Sequence, residues 1–239
     1  MSDIKRILGQ TRKAIEDYEM IKDGDRIAVG VSGGKDSTTL LMALRRLKDF
    51  LPVKFEIEAV TVSLGYDDFD LTPVKNICKE LGIRYTIEET QIGKIIFEER
   101  KEKSPCSLCA NMRRGALNNA AVALGCNRVA LAHHYDDVIE TAIMSTFYEG
   151  NFRCFSPVTY LKNKELYVIR PLIYTHEKEI KTFVKNSGIQ PVHNPCCANG
   201  NTKRQYVKDL LRDLSKENKY IKSNIFGAVQ RSCREGWHE

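Results

Sequence analysis

Apolar residues along this chain fall into two alternating patterns: short continuous runs, and stretches with a period near 3.6 residues. Residues 2–20 show the second, with Ile4, Ile7, Leu8, Thr11 and Ile15 on one side of an amphipathic helix. RIAVGVS (26–32) is an apolar run ended by Gly-Gly and predicts a buried strand. Helical spacing resumes over 36–49, and FEIEAVTVSL (55–64) alternates as a second strand. A helix over 71–81 and a third strand at 84–90 follow, then a helix over 107–125 closed by Gly125. RVALAHH (128–134) predicts a fourth strand, with a helix over 136–148 behind it. LYVIRPL (166–172) is a fifth strand halted by Pro171, and a helix from 176 to 187 ends before Gly188.

Strands alternating with helices imply right-handed crossovers and therefore an α/β fold, an open and mainly parallel sheet with helices on both faces. Ligands of such sheets sit beyond the carboxyl ends of the strands, near the point where strand order reverses. Three parts are expected: an N-terminal helix (1–25), the main domain (26–200) and a basic helical tail (201–239) packed on it. No internal repeat or low-complexity linker interrupts them.

Composition narrows the class. The 239 residues are 42% hydrophobic and 28% charged, enough to build a core, and no run reaches the ~18 apolar residues of a membrane span. The first 20 residues are polar, without the apolar centre of a signal peptide, so a cytoplasmic protein with no membrane partner is expected. Charge is unevenly placed. Residues 201–234 hold nine Lys/Arg against three acids, an excess equal to the whole net charge of +6. A second basic cluster, Arg100 to Lys103 with Arg113 and Arg114, surrounds a cysteine pair. Localised positive charge suits a polyanion such as nucleic acid; a solvated helical face is the plainer alternative.

Directly after the first strand stands Ser32-Gly33-Gly34-Lys35-Asp36-Ser37, opening a helix. Paired glycines allow positive φ and let backbone N–H groups approach a ligand, and the helix N-terminus favours an anion. Ser32 and Ser37 supply hydroxyls, Lys35 neutralises charge, and Asp36 can hold a magnesium ion. A tight turn with a serine cap is the competing structural reading.

Eight cysteines in a chain of this kind are not a disulfide framework. Cys78, Cys126, Cys154 and Cys233 stand alone and read as small buried hydrophobes. Cys106 and Cys109 are spaced i, i+3 at a helix start, which puts both sulfurs on one face. The helix N-terminus and Arg113/Arg114 favour thiolate there. Two thiolates make half a site, and Asn194-Pro195-Cys196-Cys197 is the evident donor of the rest. Structural zinc, an iron–sulfur cluster held by three cysteines, and a redox dithiol all fit this spacing. His133-His134-Tyr135-Asp136-Asp137 follows the fourth strand, where carboxylates bind magnesium or take up a proton and an imidazole contacts phosphate.

S-G-G-K-D-S resembles the PP-loop of the N-type ATP pyrophosphatases, which cleave ATP between the α- and β-phosphates. With C-S-L-C at 106–109, R-R-G at 113–115, H-H-Y-D-D at 133–137, F-Y-x-G at 147–150 and I-R-P-L at 169–172, the chain resembles the tRNA 2-thiocytidine synthetase family. Cys196, R-Q at 204–205 and L-L-R-D at 210–213 extend the match over nearly the whole chain. The resemblance implies ATP and Mg2+ held by Ser32, Gly33, Gly34, Lys35, Asp36 and Ser37, with Asp36 the magnesium ligand and Ser63 and His133 completing the nucleotide contacts. It implies a [4Fe–4S] cluster on Cys106, Cys109 and Cys196, with Cys197 the alternative third ligand. Asp136, Asp137 and Arg113 would act beside the reacting base.

The implied reaction adenylates the 2-carbonyl of a tRNA pyrimidine, most of all cytidine, and replaces the oxygen with sulfur. Its partners would be tRNA, gripped by the tail and by Arg100–Lys103, a sulfur donor such as a cysteine desulfurase or sulfide, and a second copy in a homodimer. Residues 1–30 lack the zinc-binding cysteines of 2-thiouridine-forming relatives, which favours the cytidine branch. The adjacent Cys196–Cys197 pair departs from the wider spacing of that branch. Two rivals remain at this level: a PP-loop ligase or amidotransferase with structural zinc, and a non-catalytic RNA-binding or redox-sensing protein.

Overall fold

The computed structural model describes residues 2–66, 69–96, 105–192, 203–232 and 236–237. The elements run α1 (Ser2–Asp17), β1 (Arg26–Gly30), α2 (Lys35–Leu47), β2 (Glu56–Val62), α3 (Thr72–Glu80), β3 (Arg84–Glu88), α4 (Ile92–Lys94) and α5 (Pro105–Ala123). They continue with β4 (Arg128–Ala130), α6 (Tyr135–Glu149), β5 (Val158–Leu161), β6 (Leu166–Ile169), α7 (Glu177–Ser187), α8 (Lys203–Glu217) and α9 (Ile221–Arg231). Six strands form one sheet in the order β3-β2-β1-β4-β6-β5. All neighbours pair in parallel except β5 and β6, which are antiparallel.

The period-2 pattern sorts the core into two layers. Ile27, Val29, Ile57, Ala59, Ala130 and Ile169 face the larger layer, built with α1, α2, α6 and α7 and extended by α8 and α9. Ala28, Val60, Val129 and Leu166 face the other, where Leu117, Ala120 and Ala121 of α5 cover them. Small residues on this side bring α5 close. A Cβ at Gly30 would lie 2.9 Å from Leu117 Cδ2.

Two features depart from the sequence expectation. The antiparallel edge strand β5 is new. Its four residues are only partly covered, so no apolar run announces it. The fourth strand stops at Ala130 instead of running to His134, because His134 is the N-cap of α6. Strand order reverses between β1 and β4, which opens a crevice beyond their carboxyl ends.

Candidate active site

β1 runs straight into the phosphate-type turn. Gly33 holds φ +76, and a Cβ there would come within 2.8 Å of Val192 Cβ. The turn is cross-braced by its serines. The Ser32 N–H donates to Ser37 Oγ at 3.1 Å, the Ser37 hydroxyl donates to the Gly34 carbonyl at 3.1 Å, and the two Oγ atoms lie 3.2 Å apart. Gly34 is the N-cap of α2 and offers no side-chain cap, so the first N–H groups of α2 are left for an anion.

Lys35 Nζ lies 2.7 Å from Asp36 and 3.2 Å from Glu177 at the start of α7. Burial works against the Lys35 charge, but those two carboxylates more than offset it and raise its pKa above the ordinary lysine value. Asp36 also faces His134, whose Nε2 is 3.7 Å from Oδ1. His134 and Asp137 form a reciprocal cap on α6: the His134 N–H donates to Asp137 Oδ2 at 2.9 Å, and the Asp137 N–H donates to His134 Nδ1 at 3.4 Å. His133 packs on Phe155 at 4.7 Å. Burial, then the Arg170 guanidinium, push its imidazole down to about 4, so it is neutral at physiological pH. Its Nδ1 has no hydrogen-bond partner among the described residues.

A cavity of about 390 Å3 fills the crevice. Ser32, Gly34, Asp36 and Ser37 of the turn line it together with Arg113, Arg114 and Leu117 of α5. His133 and Asp137 line its inner edge, and Leu64, Tyr66 and Phe69 add an apolar wall. The volume and the mix of apolar wall and few polar groups suit a nucleotide. Cys106 and Cys109 lie on the first turn of α5. They precede the lining residues Ala110 and Arg113 by four positions each, so they share that face of the helix.

The thiols sort by environment. Burial pushes Cys78 and Cys126 up to about 11 and Cys154 up to about 12, so these three stay protonated. Cys106 is exposed, while Cys109 is buried against Leu64, Ile92 and Ile96. Cys196 and Cys197 lie outside the described residues, as do Arg100–Lys103 and Cys233. The described ends of the intervening segment flank the cavity. The Val192 N–H donates to the Gly33 carbonyl at 2.9 Å, and Arg204 lies 3.4 Å from Asp137 and 3.1 Å from Glu140. The two thiols on the first turn of α5, one exposed and one buried, are soft donors of the kind a metal cluster takes. Among the described residues no three His, Cys, Asp or Glu side chains gather as a metal set.

The sequence-predicted residues do not all face the cavity. Asp136 turns the other way: Oδ1 accepts from Lys222 of α9 at 2.6 Å and Oδ2 from the Glu177 N–H at 2.8 Å. Burial opposes its ionisation, but these partners lower its pKa below the ordinary carboxylate value. Ser63 sits between the lining residues Val62 and Leu64. Its N–H donates to the Glu88 carbonyl at 2.9 Å, and its own carbonyl accepts from the Thr90 hydroxyl at 2.5 Å. Glu177 escaped sequence reading, and Arg204 and Lys208 entered it as tail residues without a place at the site. Lys208 of α8 is 2.6 Å from Glu177, which therefore joins the tail to the PP-loop lysine. Burial would raise the Glu177 carboxyl, yet Lys208, Lys35 and Lys181 pull it down to about 2. Much of the tail's positive charge is thus matched internally. Arg204, Lys208 and Lys222 pair with site carboxylates, and Arg212 and Lys216 with Asp209 and Asp213 on α8 itself.

A doubly wound sheet with a serine-braced glycine turn at its switch point defines a nucleotide-binding α/β protein of the PP-loop class, and residues 4–217 match the model of the PP-loop domain. Within that class the chain is 40% identical to the tRNA-cytidine(32) 2-sulfurtransferase of Geobacter sulfurreducens, over 94% of this chain and 89% of the relative. It is also 40% identical to the protein of that name from Pelobacter propionicus, over 94% of this chain and 85% of the relative. The chain belongs to the tRNA-cytidine(32) 2-sulfurtransferase family of PP-loop proteins. Among solved structures, the U34-tRNA thiolase NcsA from Methanococcus maripaludis, determined with its [4Fe-4S] cluster, superposes with a TM-score of 0.80 at 25% identity, covering 98% of this chain and 80% of that one. An NH3-dependent NAD synthetase from Campylobacter jejuni shares the fold alone, at TM-score 0.53 and 16% identity over 95% of this chain and 92% of that one.

Proposed function

We infer that this protein is an ATP-dependent tRNA sulfurtransferase that adenylates the 2-carbonyl oxygen of a cytidine and replaces that oxygen with sulfur. The observation that carries the reading is one cavity lined both by the PP-loop and by α5, the helix whose first turn bears Cys106 and Cys109. Homologues named for cytidine 2-sulfurtransfer, and a cluster-bearing tRNA thiolase of the same fold, support it.

The PP-loop would cradle the phosphates with its backbone N–H groups and the hydroxyls of Ser32 and Ser37, while the Leu64–Tyr66–Phe69 wall takes the adenine. Asp36 is the ligand we assign to Mg2+, and Lys35 balances the phosphate charge beside it. Arg113 and Arg114 line the same cavity as the loop and would neutralise the negative charge that builds up as pyrophosphate leaves. Asp137, held by the His134 N–H, is the carboxylate that points at the base and takes up a proton. His133 stays neutral and contributes a hydrogen bond rather than a charge. Asp136 acts behind Asp137, as an anchor for α7 and α9. Cys106 and Cys109, with Cys196 or Cys197, would hold a [4Fe–4S] cluster, which when bound supplies a soft metal centre for sulfur delivery. Sulfide or a cysteine desulfurase is the donor this chemistry calls for, and a homodimer in the cytoplasm is the working form we assign.

The test is purified protein with tRNA, ATP and a sulfur source, followed by pyrophosphate release and by mass spectrometry of the nucleosides. We expect 2-thiocytidine. Cys106→Ala should abolish thiolation and leave ATP binding intact, whereas loss of folding or of ATP binding in that variant would point to structural zinc. Appearance of 2-thiouridine instead would keep the chemistry and change the base.

A further inference from the structure

The F-Y-x-G motif at the end of α6 has no part in the reaction. Phe147 and Tyr148 end α6 just before Gly150, whose φ of +61 terminates the helix. Both rings face solvent, Phe147 with 55% and Tyr148 with 43% of the residue exposed. Lys203, the first residue of α8, sets its Nζ 4.4 Å from the Tyr148 ring centroid. Tyr206 stands one helical turn further along α8 and is 61% exposed. Phe147, Tyr148 and Tyr206 are thus three exposed aromatic residues on two packed helices, with the Lys203 ammonium over one of the rings.

Their position ties them to the active site. Lys203 touches Tyr148, and the next residue, Arg204, touches Asp137 in the cavity. Consecutive Cα atoms are ~3.8 Å apart, so Tyr148 and the cavity carboxylate Asp137 lie within the reach of two neighbouring side chains of α8. A second exposed pair, Tyr160 and Tyr167, is differently placed. Its rings pack on each other at 4.7 Å, and Tyr167 pairs in register with Arg128, at the amino end of β4. That end of the sheet is remote from the cavity.

We propose that Phe147, Tyr148 and Tyr206, with Lys203, form a stacking platform for unpaired loop nucleotides of the tRNA, next to the base that enters the cavity. The proposal rests on the tRNA sulfurtransferase reading and adds a surface to it. Chemistry on a base requires that base to leave its stack, and its neighbours then lose a stacking partner. Aromatic faces replace that stack with little regard to base identity, and an interleaved cation tracks the backbone. The tail's other cations argue for this division of labour. Arg204, Lys208 and Lys222 are already paired with site carboxylates, so charge on the tail is a poor substitute for stacking.

The experiment measures binding of the full-length protein to a tRNA transcript and, separately, to a blunt RNA duplex without loops, across a salt series. Phe147→Ala, Tyr148→Ala and Tyr206→Ala should each weaken tRNA binding about tenfold, leaving the duplex affinity, ATP binding and thermal midpoint unchanged. Tyr148→Phe should bind as the parent does, because stacking needs the ring and not the hydroxyl. Lys203→Ala should flatten the salt dependence by about one phosphate contact. Parent-like tRNA binding by the alanine variants overturns the platform and leaves the tRNA reading standing. Equal loss on the duplex also overturns it, in favour of a general electrostatic grip. If the variants turn a dimer into a monomer by light scattering with tRNA binding unchanged, the patch is a self-interface and the proposal falls. A parent protein that binds no tRNA removes the reading beneath it.

Discussion

At the scale of single residues, Glu177 is the most consequential side chain that no motif announced. It holds Lys35 on one side and Lys208 on the other, and its carboxyl sits at about 2 in the folded protein. In the unfolded chain it returns to about 4.5, so folding favours the ionised form. The resulting stabilisation is complete above pH ~4.5 and is lost as pH falls towards about 2; the ~3.4 kcal/mol of the shift is reduced by solvent screening to ~2 kcal/mol. Urea denaturation at a series of pH values should therefore show a stability slope in that window that Glu177→Gln flattens. His133 works in a neighbouring window with the same sign. Its folded pKa near 4 lies below that of free imidazole, so the unfolded state binds the proton first and stability drops as pH falls from ~6.5 to ~4. PP-loop residues were legible in the sequence because they are contiguous. Glu177 was not, because its partners come from two other elements.

Elements decide which glycines matter. Gly33→Ala places a Cβ at φ +76, which costs a residue with a side chain ~1–2 kcal/mol, and sets that Cβ within 2.8 Å of Val192. The turn must shift, so calorimetry should show ATP binding weakened tenfold or more. Gly115→Ala is the contrasting case. This glycine lies inside α5 with nothing within 4 Å of an added Cβ, so the variant should be more stable by ~0.5–1 kcal/mol in thermal melts. Periodicity located these helices and five of the six strands. It missed β5, a short edge strand partly open on both faces, since burial on one side is what writes alternation into a sequence.

For the whole molecule, the basic tail is a brace before it is an RNA grip. α8 and α9 lie against α6, and Phe226 of α9 stacks on Tyr135 at 4.4 Å and meets Trp237 edge-on at 5.7 Å. Lys208 and Lys222 then fix the two helices to the carboxylates of Glu177 and Asp136. These contacts are unequal. Glu177 without Lys208 keeps Lys35 and Lys181, whereas Asp136 without Lys222 keeps, among the described residues, one hydrogen bond, from the Glu177 N–H. Lys222→Ala should thus destabilise by ~1–3 kcal/mol and Lys208→Ala by less, read from urea midpoints together with earlier proteolysis of α9 in the first variant.

Contiguous patterns were the part the sequence settled alone: which segments are strands, that they alternate with helices, and that S-G-G-K-D-S makes a glycine turn between a strand end and a helix start. Each follows from forces acting over a few residues, namely side-chain period, glycine freedom and helix-end dipoles. Tertiary structure decided which of two adjacent carboxylates is available. Asp137 lines the cavity, while Asp136 is bound to Lys222, 86 residues away. It also turned a block of surplus charge into internal ion pairs, such as Arg204 with Asp137 across 67 residues. No local spacing encodes such pairings, because a helix rotates neighbouring side chains by about 100° and only the packed neighbours determine what each one meets.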